Sequence, residues 1–296
     1  MPKTITRRTF IKNTSSAAIA GALYLNSPIK LFADDKKKSK VVLIRDENLL
    51  NSSGQPKEVN LEKMMDEAIR ILTDEINIKN GWQQLIKPDD VVGIKTNEWH
   101  YLRTPYELER ILSNKTKQCG VKEENISIGD RRVRSNEVFQ KATALINSRP
   151  MRTHDWSGVG SLIKNYITFD TNLPKYHPDS CADLAKLWYL PNIKGKTRLN
   201  ILVMLTPLFH GMGPHHFSAK FTWAYNGLLV GFDPVAVDAT GVRIIQAKRE
   251  QFFGEHSPIN PPVKHIYLAD TRHHLGNADP NKIDLIKVGW EKDILI

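Results

Sequence analysis

Thiols are scarce in this chain: its 296 residues include two cysteines, Cys119 and Cys181, and neither sits in a C-x-x-C run. An ordinary iron–sulfur cluster draws on four thiolates, so the chain cannot hold one by itself. A Cys119–Cys181 disulfide is allowed outside the cytoplasm, but isolated cysteines read first as buried core thiols. Long apolar runs are missing too. The stretch from Asn13 to Leu25 is short, mild and rich in Ala, Gly and Ser, well below the ~20 apolar residues of a stable membrane span. The sequence has no G-x-S-x-G, no phosphate-binding loop, no G-x-G-x-x-G after a strand and no H-E-x-x-H. The motif-level signatures of serine hydrolases, P-loop enzymes, dinucleotide enzymes and zinc peptidases are therefore absent.

What is present suits a globular protein. Hydrophobic residues make up 41% of the chain, enough for a sizeable core. The length fits one large α/β domain or two small ones. The formal charge of +10 is inflated by the first 33 residues, which carry Lys3, Arg7, Arg8, Lys12 and Lys30 and no acid; without them it falls to +5. The remaining charges are scattered, with no basic stripe interleaved with aromatics, so nucleic acid is not an expected partner. A mild attraction to small anions or anionic surfaces remains.

Residues 6–12 read Thr-Arg-Arg-Thr-Phe-Ile-Lys, followed by the weakly apolar stretch. An arginine pair, Arg7 and Arg8, with Phe10 close behind and a mild apolar region next, resembles a twin-arginine export signal. The expected organisation is a signal peptide over 1–33, a lysine-rich linker over 34–40 and a single α/β domain over 41–296. Cleavage would follow Ala33, although Leu31 is a poor match at the preceding small-residue position. The expected partner in export is the twin-arginine translocase, and the expected location is the periplasm or another extracytoplasmic space. No cysteine follows the apolar region to carry a lipid anchor, and no later segment reaches spanning length. Export in the folded state favours a protein that acquires a cofactor before crossing.

Strand and helix patterns alternate along the rest. Strands are expected at Lys40–Arg45, at the end of Pro88–Lys95, and at Asn125–Asp130, Ala144–Asn147, Leu199–Leu205, Asn226–Phe232, Val263–Leu268 and Lys282–Val288. Helices are expected from Asn60, as N-cap, to about Asn77, with Leu61, Met64, Met65, Ala68, Ile69 and Leu72 inward, and at Pro105–Cys119, Val138–Ala144 and Pro234 to about Glu250. The fold class is α/β: a layered, largely parallel sheet with helices, plus an irregular excursion near 150–195 too long for an ordinary connector.

Ligands of α/β sheets bind beyond the carboxyl ends of the strands. Lys95, Asn97, Asp130 and Arg131 fall there. Asp233 before Pro234 reads as a helix cap. Asp238, amid Ala and Val, reads as a buried carboxylate needing a Lys, an Arg or a metal. His154, His177 and His210 lie in or near the excursion, and His273-His274 reads as an exposed loop pair. Histidines are common metal ligands and bases, but none of these has metal-ligand spacing.

Taken in order, Ile94-Lys-Thr-Asn97, Leu145-Ile-Asn147, Pro150-Met-Arg-Thr-His154, Trp156-Ser-Gly-Val159, Lys164-Asn-Tyr166, Lys175-Tyr-His177, Cys181, Gly213-Pro214 and Asp233-Pro-Val-Ala-Val-Asp238 resemble the domain-of-unknown-function family 362, above all its twin-arginine-exported members. The resemblance runs from about Val41 to Val288. It departs from the family pattern at Arg152, where Lys is usual, at Val203, where Asp is usual, and at His210, where Glu is usual. Losing two carboxylates weakens a site for hard cations and points any metal toward imidazole ligands, or away from the site. The expectation is an extracytoplasmic cofactor- or metal-binding enzyme acting on a small molecule. In it Lys95, Asn97 and Asn165 contact substrate, and His154, Lys164 and Asp238 do the chemistry. His154, His177 and His210 offer ligands to a transition metal. The competing expectation is a non-catalytic periplasmic ligand-binding or accessory protein.

Overall fold

A computed structural model describes residues 38–211 and 216–296. The export segment with Arg7, Arg8 and Phe10, most of the linker, and Gly213-Pro214 lie outside the described residues. Lys38–Ile296 forms one compact unit.

Eight strands form one sheet: β1 (Ser39–Arg45), β2 (Val92–Lys95), β3 (Ile126–Gly129), β4 (Ala144–His154), β5 (Gly158–Gly160), β6 (Thr197–Leu208), β7 (Gly227–Gly231) and β8 (Ile283–Gly289). Their order is β3-β2-β4-β6-β7-β1-β8, with β5 pairing off β4. The ladders β2–β3, β2–β4, β4–β6 and β1–β8 are parallel, while β7 and the short β5 run antiparallel to their neighbours. The largely parallel α/β sheet is thus as the alternating pattern implied. Helices α1 (Glu58–Thr73), α2 (Ile78–Leu85) and α3 (Tyr106–Gln118) pack on one face, over Val42, Ile44, Val92, Ile94, Ile201 and Val230. The inward face of α1 is the predicted one: Leu61, Met64, Met65, Ala68, Ile69 and Leu72. Helices α4 (Glu137–Lys141), α5 (Leu162–Asn165), α6 (Pro234–Phe253) and α7 (Lys264–Thr271) belong to the other side, whose core holds Leu145, Met151, Leu202, Met204 and Leu229.

Several local expectations change. Val263–Leu268 is not a strand: α7 buries His265, Ile266 and Ala269, a helical spacing hidden within a short apolar run. Helix α2 went unanticipated, since its polar residues mask a core face of Gly81, Trp82 and Leu85. The cap of α1 is Lys57 rather than Asn60, whose side chain hydrogen-bonds Asp46 instead. The strand after Ala144 does not stop at Asn147 but runs to His154, fully buried along its length. A Pro and five polar or charged residues beyond Asn147 obscured a strand shielded on both faces. The excursion is therefore shorter than expected. It winds through one-turn helices whose Leu162, Ile163, Tyr166, Leu184, Leu187 and Trp188 join the main core, so it is not a subdomain. Both cysteines are buried and free. His273 is partly covered and lies 3.0 Å from Asp183.

Candidate functional site

The carboxyl ends of β2, β3 and β4 converge under α5, and polar side chains crowd there. Lys95 ends β2 and is fully buried. Its ammonium donates to Asp130 Oδ1 at 2.5 Å and to the Thr96 carbonyl at 2.7 Å. The other Asp130 oxygen accepts the Glu98 backbone N–H at 3.0 Å and Asn97 Nδ2 at 3.4 Å. Burial pulls the Lys95 pKa down and the carboxylate opposes it, while the ammonium and neighbouring donors hold Asp130 below its usual range. A buried lysine clamped in this way is a fixed positive charge.

Asn165 was expected to touch substrate, but its amide is taken up inside the fold. It donates to Asn147 Oδ1 at 2.8 Å and to the Ser148 carbonyl at 3.2 Å. Asn147 donates onward to Asn200 Oδ1 at 3.1 Å, and Asn200 to the Phe232 carbonyl at 2.9 Å. This chain of amides ties α5 to the sheet. Asp238 also has a different partner from those expected. Fully buried on α6, it accepts Ser161 Oγ at 2.7 Å and the backbone N–H groups of Leu162 and Ile163 at 2.9 Å each. It caps the first turn of α5 from a distant helix, and burial still raises its pKa to about 6. Its place is that of an anchor for Lys164 rather than a reacting group. Asp233 is the cap that its position before Pro234 implied, accepting the N–H groups of Val235 and Ala236.

Two cations that the sequence did not mark out as site residues occupy the centre. Arg149 and Arg152 are each 4% exposed. Arg149 Nε, and Arg152 Nε and Nη1, have no hydrogen-bond partner among the described residues. An added Cβ on Gly160 would lie 2.8 Å from Arg149 Nη2 and 3.2 Å from Arg152 Nε, so both guanidinium groups reach the same spot. Burial lowers the Arg149 pKa to about 10, opposed by Asp130 and Asp238, and it stays charged at neutral pH. Arg152 is pushed down by burial and then by Arg149. Its guanidinium stacks 4.1 Å over Trp99, next to Tyr101 and Phe217. Asn97 Oδ1 and Ser148 Oγ are likewise buried without partners.

Lys164 and three histidines complete the cluster. Lys164, 4% exposed, donates to the Cys181 sulfur at 3.6 Å, and burial lowers its pKa to about 8. His154 Nδ1 lies 2.9 Å from Asp155 and 3.2 Å from the Trp156 nitrogen. Burial, then Lys164, Arg149 and Arg152, hold this ring neutral. His177 packs on Trp156 at 4.1 Å, its pKa lowered by burial and by Lys164. His265 on α7 is fully buried with neither ring nitrogen partnered, and burial with the charges of Lys164 and Arg149 lowers it to about 3.

Among the described residues, the three histidines expected as ligands do not come together around a metal position. Among the described residues no group of three His, Cys, Asp or Glu side chains is placed to hold one. His210, the third expected ligand, faces Arg249 at 3.2 Å and packs on Phe221 and Phe253. A divalent cation near His154 would also face Arg149, Arg152 and Lys164.

A family model described as Domain of unknown function (DUF362) matches residues 74–243, more than half of the chain. The chain belongs to this family. Neither the curated proteins nor the solved structures yield a match. Within this DUF362 member every site residue above except His265 falls inside the matched segment. Arg152 stands in the middle of the cluster. Arg149 and His265 were missed from sequence. A second arginine close to Arg152 was the available signal for the first; a histidine inside an apolar run gave none for the second. Among the described residues no helix is long and apolar enough to cross a membrane.

Proposed function

We propose that this protein is an extracytoplasmic enzyme that binds a small anionic molecule, bearing a carboxylate or phosphate, at the carboxyl ends of β2, β3 and β4. The observation that carries this reading is the pair Arg149 and Arg152, nearly fully buried, whose Arg149 Nε and Arg152 Nε and Nη1 meet no acceptor among the described residues. Leaving a buried charged donor unpaired costs upwards of about 1–3 kcal/mol. A planar fork of donors matches the two oxygens of a carboxylate or phosphate. The acids whose charge reaches these arginines are also engaged elsewhere: Asp130 with Lys95, Asp238 with the start of α5, and Asp155 beside His154. An anion entering here would supply the missing acceptors, and the Ser148 hydroxyl, also without a partner among the described residues, would donate to it. Lys164, near its titration point, gives the site a reactive amine, which favours catalysis over simple binding.

Titration calorimetry of the purified chain with inorganic phosphate and with pyruvate tests the reading. Saturable one-to-one binding of one of them should weaken at least about tenfold in an Arg149→Met/Arg152→Met variant. Failure of the wild type to bind either anion would overturn it. The extracytoplasmic part rests on Arg7, Arg8 and Phe10. An Arg7→Lys/Arg8→Lys variant should stay in the cytoplasmic fraction, and unchanged export would remove that part alone.

A further inference from the structure

The site contains two buried lysines in opposite surroundings. Lys95 touches a carboxylate at 2.5 Å. Lys164, almost as buried, touches no carboxylate within ion-pair distance among the described residues; its hydrogen-bond partner is a thiol, Cys181 Sγ, 3.6 Å away. The titratable groups around Lys164 come from every element packed against α5. Strand β4 brings Arg149, Arg152 and His154. The following turn brings Asp155, whose pull on Lys164 is the weakest of those acting on it. The segment 177–181 brings His177 and Cys181, and α7 brings His265, all within reach of the Lys164 charge. Excess positive charge and neutral imidazoles surround one amine. Such surroundings favour the free base over the ammonium ion, as they do for lysines that attack carbonyl groups.

The holding of this amine is also unusual. Asp179, Ser180 and Cys181 have φ values of 51°, 56° and 63°. Three consecutive non-glycine residues in the left-handed region cost about 1–3 kcal/mol each. This turn carries the Cys181 sulfur to the Lys164 ammonium. On the other side, Asp238 fixes the start of the turn of helix that bears Lys164. The strained turn and the long-range cap both hold one amine within the field of the Arg149 guanidinium.

We propose that Lys164 forms an imine with the carbonyl carbon of a substrate whose carboxylate or phosphate is held by Arg149 and Arg152. The inference rests on the anion-binding reading above. The Lys164 nitrogen lone pair adds to the carbonyl carbon, and the C=O electron pair moves onto oxygen, which takes up a proton. The nitrogen loses a proton, giving a neutral carbinolamine. Protonation of the hydroxyl then expels water as the C=N bond forms. Overall, amine, carbonyl and one proton give a protonated imine and one water, with no oxidant or reductant. Water carries these protons, since burial and the surrounding cations keep His154 from holding one. The imine then draws electrons from the bond next to the former carbonyl carbon, the activation needed for loss of carbon dioxide or of an α-proton.

The test is borohydride trapping of the full-length purified chain. The chain is incubated with pyruvate, with dihydroxyacetone phosphate, or with the neutral ketone hydroxyacetone, then reduced and peptide-mapped. Lys164 should carry a reduced adduct formed at least about tenfold faster than at any other lysine. Labelling by the charged probes should rise with pH through about 8, where Lys164 loses its proton. The Lys164→Arg and Lys164→Gln variants, checked for folding by thermal unfolding, should lack the adduct. Pyruvate and dihydroxyacetone phosphate separate a carboxylate from a phosphate preference. The Arg149→Met/Arg152→Met variant should lose labelling by both charged probes and keep that by hydroxyacetone. Adducts spread over surface lysines, or none at Lys164 while pyruvate still binds in the calorimeter, would overturn the imine and leave the anion site standing. Equal labelling of Lys164 by hydroxyacetone and the charged probes would instead overturn the anion site.

Discussion

Replacing a buried residue in a packed core normally destabilises a protein, but Arg152→Met should do the opposite. Arg152 is 4% exposed, with two guanidinium nitrogens that find no acceptor and a second cation, Arg149, at the same glycine. Replacing buried ionic groups by apolar residues of similar volume is often stabilising by about 1–4 kcal/mol. Against this stands the loss of the guanidinium stack on Trp99, 4.1 Å from its ring centre, worth about 0.5–2 kcal/mol. Methionine recovers part of that through its sulfur. The net expectation is a gain of about 1–2 kcal/mol in the ligand-free protein. For a domain of this size that is roughly a 3–6 °C rise in Tm. The assay is urea unfolding and thermal melting after exhaustive dialysis, repeated with added phosphate. The wild type should gain about 2.7 kcal/mol at a hundredfold excess over its Kd, and the variant, binding at least about tenfold more weakly, no more than about 1.4 kcal/mol. A variant that loses more than about 1 kcal/mol without ligand, or that responds to phosphate like the wild type, would refute the claim that this cation awaits an anion.

Two more predictions concern the charges that are satisfied. Asp130→Asn leaves the fully buried Lys95 ammonium without its counter-ion and should cost about 3–5 kcal/mol in urea unfolding; a Lys95→Met/Asp130→Asn double variant should recover most of it, and additive losses would contradict the pairing. Asp238 gives a pH signature. Its pKa is raised on folding from 3.8 to about 6, so the native state binds the proton more tightly than the unfolded chain. That stabilisation is complete below the unfolded pKa and disappears as pH rises through about 6. Measured against Asp238→Asn, wild-type stability should fall by about 3 kcal/mol between roughly pH 4 and pH 7; a difference that stays flat would place the titration elsewhere.

The parts of the fold that could be read from sequence are those where one local pattern dominates. Helix α1 announced its buried face because six apolar residues recur at helical spacing on a polar background. Strands β1, β6 and β7 are continuous apolar runs, as befits strands covered on both faces. Helix α7 was misread because an apolar run of a few residues carries no period. Strand β4 was cut short because its second half, Ser148 to His154, is polar, and polar residues in a buried strand become intelligible only with their partners in view. Lys95 and Asn97 were placed at strand ends by the rule that ligands gather there, and His154 and Lys164 in the excursion; in the structure Lys95 and Asn97 share Asp130, and the Lys164 charge reaches His154. Their division into anchors and reactive groups was not legible, because it depends on which side chain lies beside which.

The sequence by itself determined the α/β class, the inward face of α1, the Asp233 cap and the family, since each rests on local spacing or on motifs that survive without coordinates. Only the tertiary structure decided the character of the site. Arg149 and Arg152 would point to opposite faces of a regular strand. The pairing of β4 with β6 loses register between Pro150 and Arg152. Such a break resets which face a side chain takes, and both guanidinium groups end at Gly160. His265 arrives from a helix more than a hundred residues away from Lys164 in sequence, and Asp130 claims one lysine while leaving the other to a thiol. Charge compensation depends on distances of a few ångströms between distant parts of the chain, so no reading of the chain in one dimension could say which cations were left without a partner.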